Sequence, residues 1–251
     1  MNVATRLTLA LPLLFGGCHR LDTGVYSLGD RSADYAMYVP EGDGAYRVAV
    51  LLPGDGWSAR DLPRKRALRT WADAHHTIVV SVAPPNQSRC WWTPGKHERA
   101  AFLLEFLQDR VLSAYQVDLR RVDLGGWSGG AFLAFGMPFY VDLPFDGGLV
   151  GVCGADVPRV QSSVDYCGDD LSDDEPMSID VSGAADLLAG KRVSLARTTG
   201  DDLVGVMDAG LAFYKGLGAA TRVVDEGPGD HCDFDVVDAI IDGLNWIEAG
   251  R

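Results

Sequence analysis

The 251-residue sequence is short of positive charge, with 22 lysines and arginines against 35 aspartates and glutamates. The resulting formal net charge of -13 repels nucleic-acid phosphates and anionic lipid heads, so no nucleic-acid partner is expected. Cys-x-x-Cys and related metal-ligand spacings are missing, which argues against a bound metal. Internal repeats and sustained heptads are also absent, excluding solenoids and coiled coils. Long apolar runs are lacking except near the N-terminus, so a membrane-spanning bundle is excluded. Histidine is scarce, with five in the chain, and any imidazole chemistry has few places to reside.

What remains is 47% hydrophobic and 23% charged, ordinary for a folded domain and long enough for one large α/β unit at residues 19–251. The opening stretch "MNVATRLTLALPLLFGGC" has one cation, Arg6, then an apolar run from Leu7 to Phe15 and small residues. It reads as an export signal over residues 1–18. Its ending "LLFGGC" resembles a bacterial lipobox, which makes Cys18 the expected lipidation site and a lipid anchor the expected link to a membrane. The expected location is outside the cytoplasm, as a periplasmic or cell-envelope lipoprotein or a secreted form. Export leaves Cys90, Cys153, Cys167 and Cys232 in a compartment that permits disulfides. Four cysteines allow three pairings. The favoured one joins Cys153 to Cys167 and Cys90 to Cys232.

Short β-rich segments alternate with helical patterns, which predicts an α/β fold with a mainly parallel sheet covered by helices on both faces. Strands are expected at "YAMYV" (35–39), "RVAVLL" (47–52), "TIVVSVA" (77–83), "RRVDLGGW" (120–127), "GGLVGVC" (147–153), "RVSLART" (192–198) and "TRVVDE" (221–226). Helical spacing runs from Glu98 to Tyr115, from Gly129 to a stop near Pro138, over 204–217 and over 234–247. Residues 155–190 break the rhythm, with nine acids against Arg159 alone. Such a run reads as a solvated surface excursion, and it lacks the EF-hand pattern that calcium binding needs.

Gly126-Trp127-Ser128-Gly129-Gly130 matches G-x-S-x-G at a strand-to-helix junction, the context in which that motif carries chemistry. A hydroxyl needs a base, and His231 in "GPGDHCDF" lies between the last strand and the final helix. His19, His75, His76 and His97 sit at a leader, a strand start and a helix start. An orienting carboxylate should follow the strand "RVSLART", where Asp201 is favoured and Asp202 is the alternative. An oxyanion needs two backbone donors: Gly129 supplies one, and "LLPGDGWS" supplies the other from Asp55, with Gly56 as the alternative. Trp57, Trp92 and Trp127 flank these loops and are the expected substrate-lining aromatics.

Together "LLPGDG", "RVDLGGWSGGAF", "TTGDDLV" and "GDHCDF" resemble the α/β-hydrolase superfamily, in the order nucleophile, acid, base. The stretch from "FLLEFLQDRVLSAYQVDLRRVDLGGWSGGAF" is further similar to secreted poly(3-hydroxybutyrate) depolymerases and feruloyl esterases. Gly129 stands where that branch commonly has asparagine, and Pro53-Gly54 replaces its histidine-glycine. The resemblance implies a serine esterase that uses no cofactor and acts on a polyester, feruloyl-type or short-chain ester, small or polymeric. The alternatives are a peptidase or acyltransferase with the same triad, and a non-catalytic binding lipoprotein on this fold.

Overall fold

The computed structural model describes residues 20–87, 90–91, 96–155 and 184–251. The expected leader with Cys18, the aromatic Trp92, Cys167 and nearly all of the acidic excursion lie outside them.

Eight strands form one sheet in the order β1-β2-β4-β3-β5-β6-β7-β8. β1 (Arg20–Leu28) and β2 (Arg31–Val39) form an antiparallel hairpin, and β2 runs antiparallel to β4 (Thr77–Val82). From β4 outward through β3 (Tyr46–Leu52), β5 (Val117–Trp127), β6 (Leu149–Val152), β7 (Arg192–Arg197) and β8 (Ala220–Asp225) every pairing is parallel. Parallel pairing demands a crossover between neighbours, and helices supply it.

Those helices divide between the two faces. Val48, Val50 and Leu52 of β3 pack into one core with Phe102 and Phe106 of α2 (Lys96–Leu107), Phe135 of α3 (Gly129–Tyr140) and Tyr214 of α5 (Val204–Gly216). Ala49 and Leu51 of the same strand face the other core, with Leu68 and Trp71 of α1 (Arg66–Ala74) and Leu244 of α6 (Val236–Glu248). Successive strand residues point to opposite faces and both faces are covered, which is why "RVAVLL" shows no polar alternation. The short α4 (Ala184–Leu188) leads into β7.

Most expected elements are present, with three differences. α2 ends at Leu107 and the chain continues as one π turn, Gln108–Leu112, instead of an uninterrupted helix to Tyr115. α3 runs through Pro138 and ends at Tyr140 instead of stopping at the proline, at the cost of the one hydrogen bond that a proline nitrogen cannot donate to the carbonyl four residues back. β1, α1 and α4 have no counterpart in the sequence reading. Only Leu68, Trp71 and Ala72 of α1 are buried, a stripe too narrow to stand out among its charged neighbours.

At the N-terminal edge of the parallel strands a buried ionic cluster ties the sheet to the end of the chain. Asp123 of β5 is 2% exposed, accepts from Gly148 N–H at 2.8 Å and pairs with Arg251. Arg47 of β3, 4% exposed, lies 4.0 Å from Asp123 and pairs with Glu248. Deleting one member of such a cluster leaves buried charge behind. Asp123→Ala is therefore expected to cost about 3–5 kcal/mol in chemical denaturation, with little change in the geometry at the far edge of the sheet.

Candidate active site

Ser128 stands between the last residue of β5 and the first of α3, at φ 49° and ψ -129°. A non-glycine residue in that region carries strain, and the surroundings hold it there. Its N–H donates to Val152 O at 2.8 Å, and its carbonyl accepts from Phe132 N–H at 3.2 Å. The turn is so tight that a Cβ on Gly126 would meet Leu52 O at 2.3 Å, and one on Gly130 would meet Pro53 O at 2.4 Å. Both glycines let β5 and α3 approach the carboxyl end of β3. Although Ser128 occupies the position before the helix, its hydroxyl makes no capping hydrogen bond. The oxygen turns to an imidazole instead.

Ser128 Oγ lies 2.9 Å from His231 Nε2, and His231 Nδ1 lies 2.7 Å from Asp201 Oδ2. The three groups come from the end of β5, the loop after β8 and the loop after β7, adjacent regions of one sheet edge. Asp201 is 2% exposed, and its other oxygen accepts Leu203 N–H at 2.8 Å. Both carboxylate oxygens are thus occupied and the group cannot turn. Asp202, one residue on, is exposed. Asp225 pairs with Arg197 at 3.1 Å, and the carbonyl of Asp230 accepts from Thr198 Oγ1 at 2.8 Å, which fastens the histidine loop to the end of β7. The other described histidines do other work: His76 stacks on Tyr46 at 4.2 Å between ring centroids and His75 on Trp71 at 4.8 Å. His97 is exposed on α2.

The favoured cysteine pairing is wrong. Cys153 bonds to Cys232, 79 residues away. Cys90 is disulfide-bonded as well, so its expected link to Cys232 does not exist. The sheet explains this: Cys153 follows β6, beside Ser128, and Cys232 follows His231, so in this strand order the two cysteines come to lie with Cα atoms 5.5 Å apart. Proximity along the chain favoured Cys153 with Cys167, whereas proximity in the sheet decided otherwise. Cys153→Ser with Cys232→Ser should lower stability by about 2–5 kcal/mol in thermal or urea unfolding. The contact between His231 and Ser128 should loosen too, since the bond anchors the histidine loop.

The stretch Gly54–Trp57 forms a turn closed by Trp57 N–H to Gly54 O at 3.0 Å. Its central residues are Asp55 and Gly56, the latter at φ 78° as a type II turn requires. The closing bond uses neither of their N–H groups. Gly129, the first residue of α3, faces this turn: a Cβ there would fall 2.2 Å from the Asp55 carboxyl. The helix start also directs partial positive charge to the same place. Trp57 is 60% exposed and stands edge-on to Trp127, 5.9 Å between centroids. Trp127 itself is 7% exposed and packs in the core. Among the described residues no group of three or more His, Cys, Asp or Glu is placed to hold a metal, and no helix is long and apolar enough to cross a membrane.

No family model and no curated protein matches the sequence. Solved structures do match. The fluorophosphonate-binding serine hydrolase FphF of Staphylococcus aureus superposes with a TM-score of 0.69 at 14% identity, covering 92% of this chain and 99% of its own. An S-formylglutathione hydrolase from Agrobacterium tumefaciens gives 0.68 at 15% identity, with 93% and 97% covered. A bacterial heroin esterase gives 0.66 at 15% identity, with 93% and 84% covered. The chain has the α/β-hydrolase fold.

The strand ends that gather around Ser128 are those of β3, β5, β6, β7 and β8. Two features of the site escaped sequence reasoning. One is the Cys153–Cys232 bond. The other is the Asp55 side chain, since the sequence context points only to that residue's backbone N–H. Burial pushes the Asp55 carboxyl up to about 6, opposed by the Trp91 N–H, Arg99 and His231. Gly129 is the available signal, since a glycine directly after Ser128 fits a place where another group comes close.

Proposed function

We propose that this protein is an exported serine esterase that cleaves carboxylic esters through an acyl-enzyme on Ser128. The observation that carries the reading is the unbroken chain of contacts from Ser128 Oγ to His231 at 2.9 Å and on to Asp201 at 2.7 Å. Solved proteins of the same fold named as serine hydrolase, formylglutathione hydrolase and esterase support it.

In this reaction His231 Nε2 takes the Ser128 proton as Oγ attacks the ester carbonyl carbon. The carbonyl oxygen becomes an oxyanion, held by the backbone N–H of Gly129 and that of Asp55 or Gly56. The tetrahedral adduct collapses, the C–O bond to the alcohol breaks, and the imidazolium returns its proton to the departing alkoxide. Water then attacks the acyl group by the same steps, releasing a carboxylic acid and restoring the serine. Asp201 holds the imidazole with Nδ1 protonated and offsets its charge when Nε2 is also protonated. No cofactor enters these steps.

Export by residues 1–18 and lipidation of Cys18 belong to the same proposal, and mass analysis of the mature N-terminus tests them. The choice of ester is tested with p-nitrophenyl esters of increasing acyl length, feruloyl methyl ester and poly(3-hydroxybutyrate), beside a peptide anilide. Turnover of the esters with none of the anilide is the expected result. A protein that cleaves the anilide and none of the esters is a peptidase, and one inert to all of them is a binding lipoprotein. Trp57, exposed at the rim, is the described aromatic best placed to meet an aromatic or polymeric ester.

A further inference from the structure

The residue after the nucleophile is glycine because a carboxyl group occupies the space a side chain would fill. The ideal Cβ position on Gly129 lies 2.2 Å from Asp55 Cγ and from both of its oxygens. On its other side Asp55 Oδ1 accepts Trp91 N–H at 2.7 Å. Trp91 is 1% exposed, and its indole Nε1 donates to Pro53 O at 2.9 Å, two residues before Asp55. Arg99 of α2 in turn donates to the carbonyl of Cys90, next to Trp91. The Gly54–Trp57 turn, the Cys90–Trp91 segment and the start of α3 therefore meet at one carboxyl group.

We propose that the Asp55 side chain is a positioning residue of the oxyanion hole, wedged between Gly129 and Trp91 N–H so that the turn's backbone donor and the Gly129 donor face one point. The inference rests on the esterase reading and adds a side-chain role to it. Negative charge beside a forming oxyanion is unfavourable, so the useful property of Asp55 is its acceptor oxygen and its shape. The charge is balanced by what surrounds it: Arg99 from α2 and His231 from the loop after β8 both favour its ionised form, as does the Trp91 N–H, while the α3 side of the contact is the uncharged Gly129. With burial holding its pKa at about 6, the group is ionised at neutral pH and neutral in mild acid.

The test is steady-state kinetics on a short p-nitrophenyl ester at neutral pH, with melting curves to confirm folding. Asp55→Ala (D55A) should lose about 100-fold in kcat with KM within about threefold, the pattern of a donor displaced in the transition state. D55N keeps the acceptor for Trp91 N–H and should stay well above D55A, within about threefold of wild-type kcat. A merely structural role would raise KM along with the fall in kcat and would not be rescued by the conservative variant. G129A should be crippled by the Cβ contact, and G129A combined with D55G should be no worse than D55G alone. Full kcat in D55A, full activity in G129A, or a D55N as poor as D55A each overturns the proposal. A wild type that neither turns over esters nor reacts with a fluorophosphonate sinks the esterase reading itself, whereas an active wild type with an unaffected D55A sinks only this inference.

Discussion

Ser128→Ala is expected to lower kcat on p-nitrophenyl esters by about 10⁶-fold while the protein melts as before. Ser128 Oγ touches an imidazole that is itself held by a buried carboxylate, so the acyl-enzyme is expected to form there. Removing Oγ deletes the attacking atom and leaves His231 with nothing to deprotonate except water. The residual rate then measures what the backbone donors and binding supply alone, about 10³-fold over water. His231→Ala should fall nearly as far, and the double variant hardly further, because the two groups act as one unit. Stability should change little, since Ser128 Oγ makes no capping bond and its N–H and C=O keep their partners in the alanine variant.

The second large effect separates two adjacent aspartates. Asp201→Asn should reduce kcat by about 10⁴-fold, and Asp202→Asn should leave it within about threefold. The reason lies in the second oxygen of Asp201, which accepts Leu203 N–H at 2.8 Å. An asparagine there keeps that contact only with its carbonyl oxygen, which turns its NH₂ toward His231 Nδ1. The imidazole must then accept at Nδ1 and carry its proton on Nε2, facing Ser128 with a donor where a base is needed. Shape is preserved and the tautomer is wrong. Asp202 is exposed, and its amide variant alters only solvated surface. Equal losses in the two variants would show that the loop, not the carboxylate, is what activity depends on.

The sheet and the serine were the legible parts of the sequence. Parallel strands buried on both faces leave unbroken runs such as "TIVVSV", and the strand-to-helix turn leaves glycines around Ser128, because both are backbone requirements that only certain residues meet. The choice between Asp201 and Asp202 was not legible, since a one-residue shift preserves the local pattern and only the burial of one carboxylate against Leu203 N–H decides it. β1 was silent for a different reason: it is an edge strand, nearly all of it half-buried or exposed, with no apolar run to announce it. Disulfide pairing failed because the sheet, not chain distance, sets which cysteines meet. Asp55 was half read: its backbone position in the turn followed from the motif, but its side-chain contacts depend on where Trp91 and α3 come to rest.

The account depends most on Ser128 being an activated nucleophile, and a fluorophosphonate probe reads that directly. Wild-type protein at neutral pH should take up one probe per chain, mapped by peptide mass to Ser128, and Ser128→Ala should take up none. An unlabelled wild-type protein, or a label placed on any other residue, would contradict it.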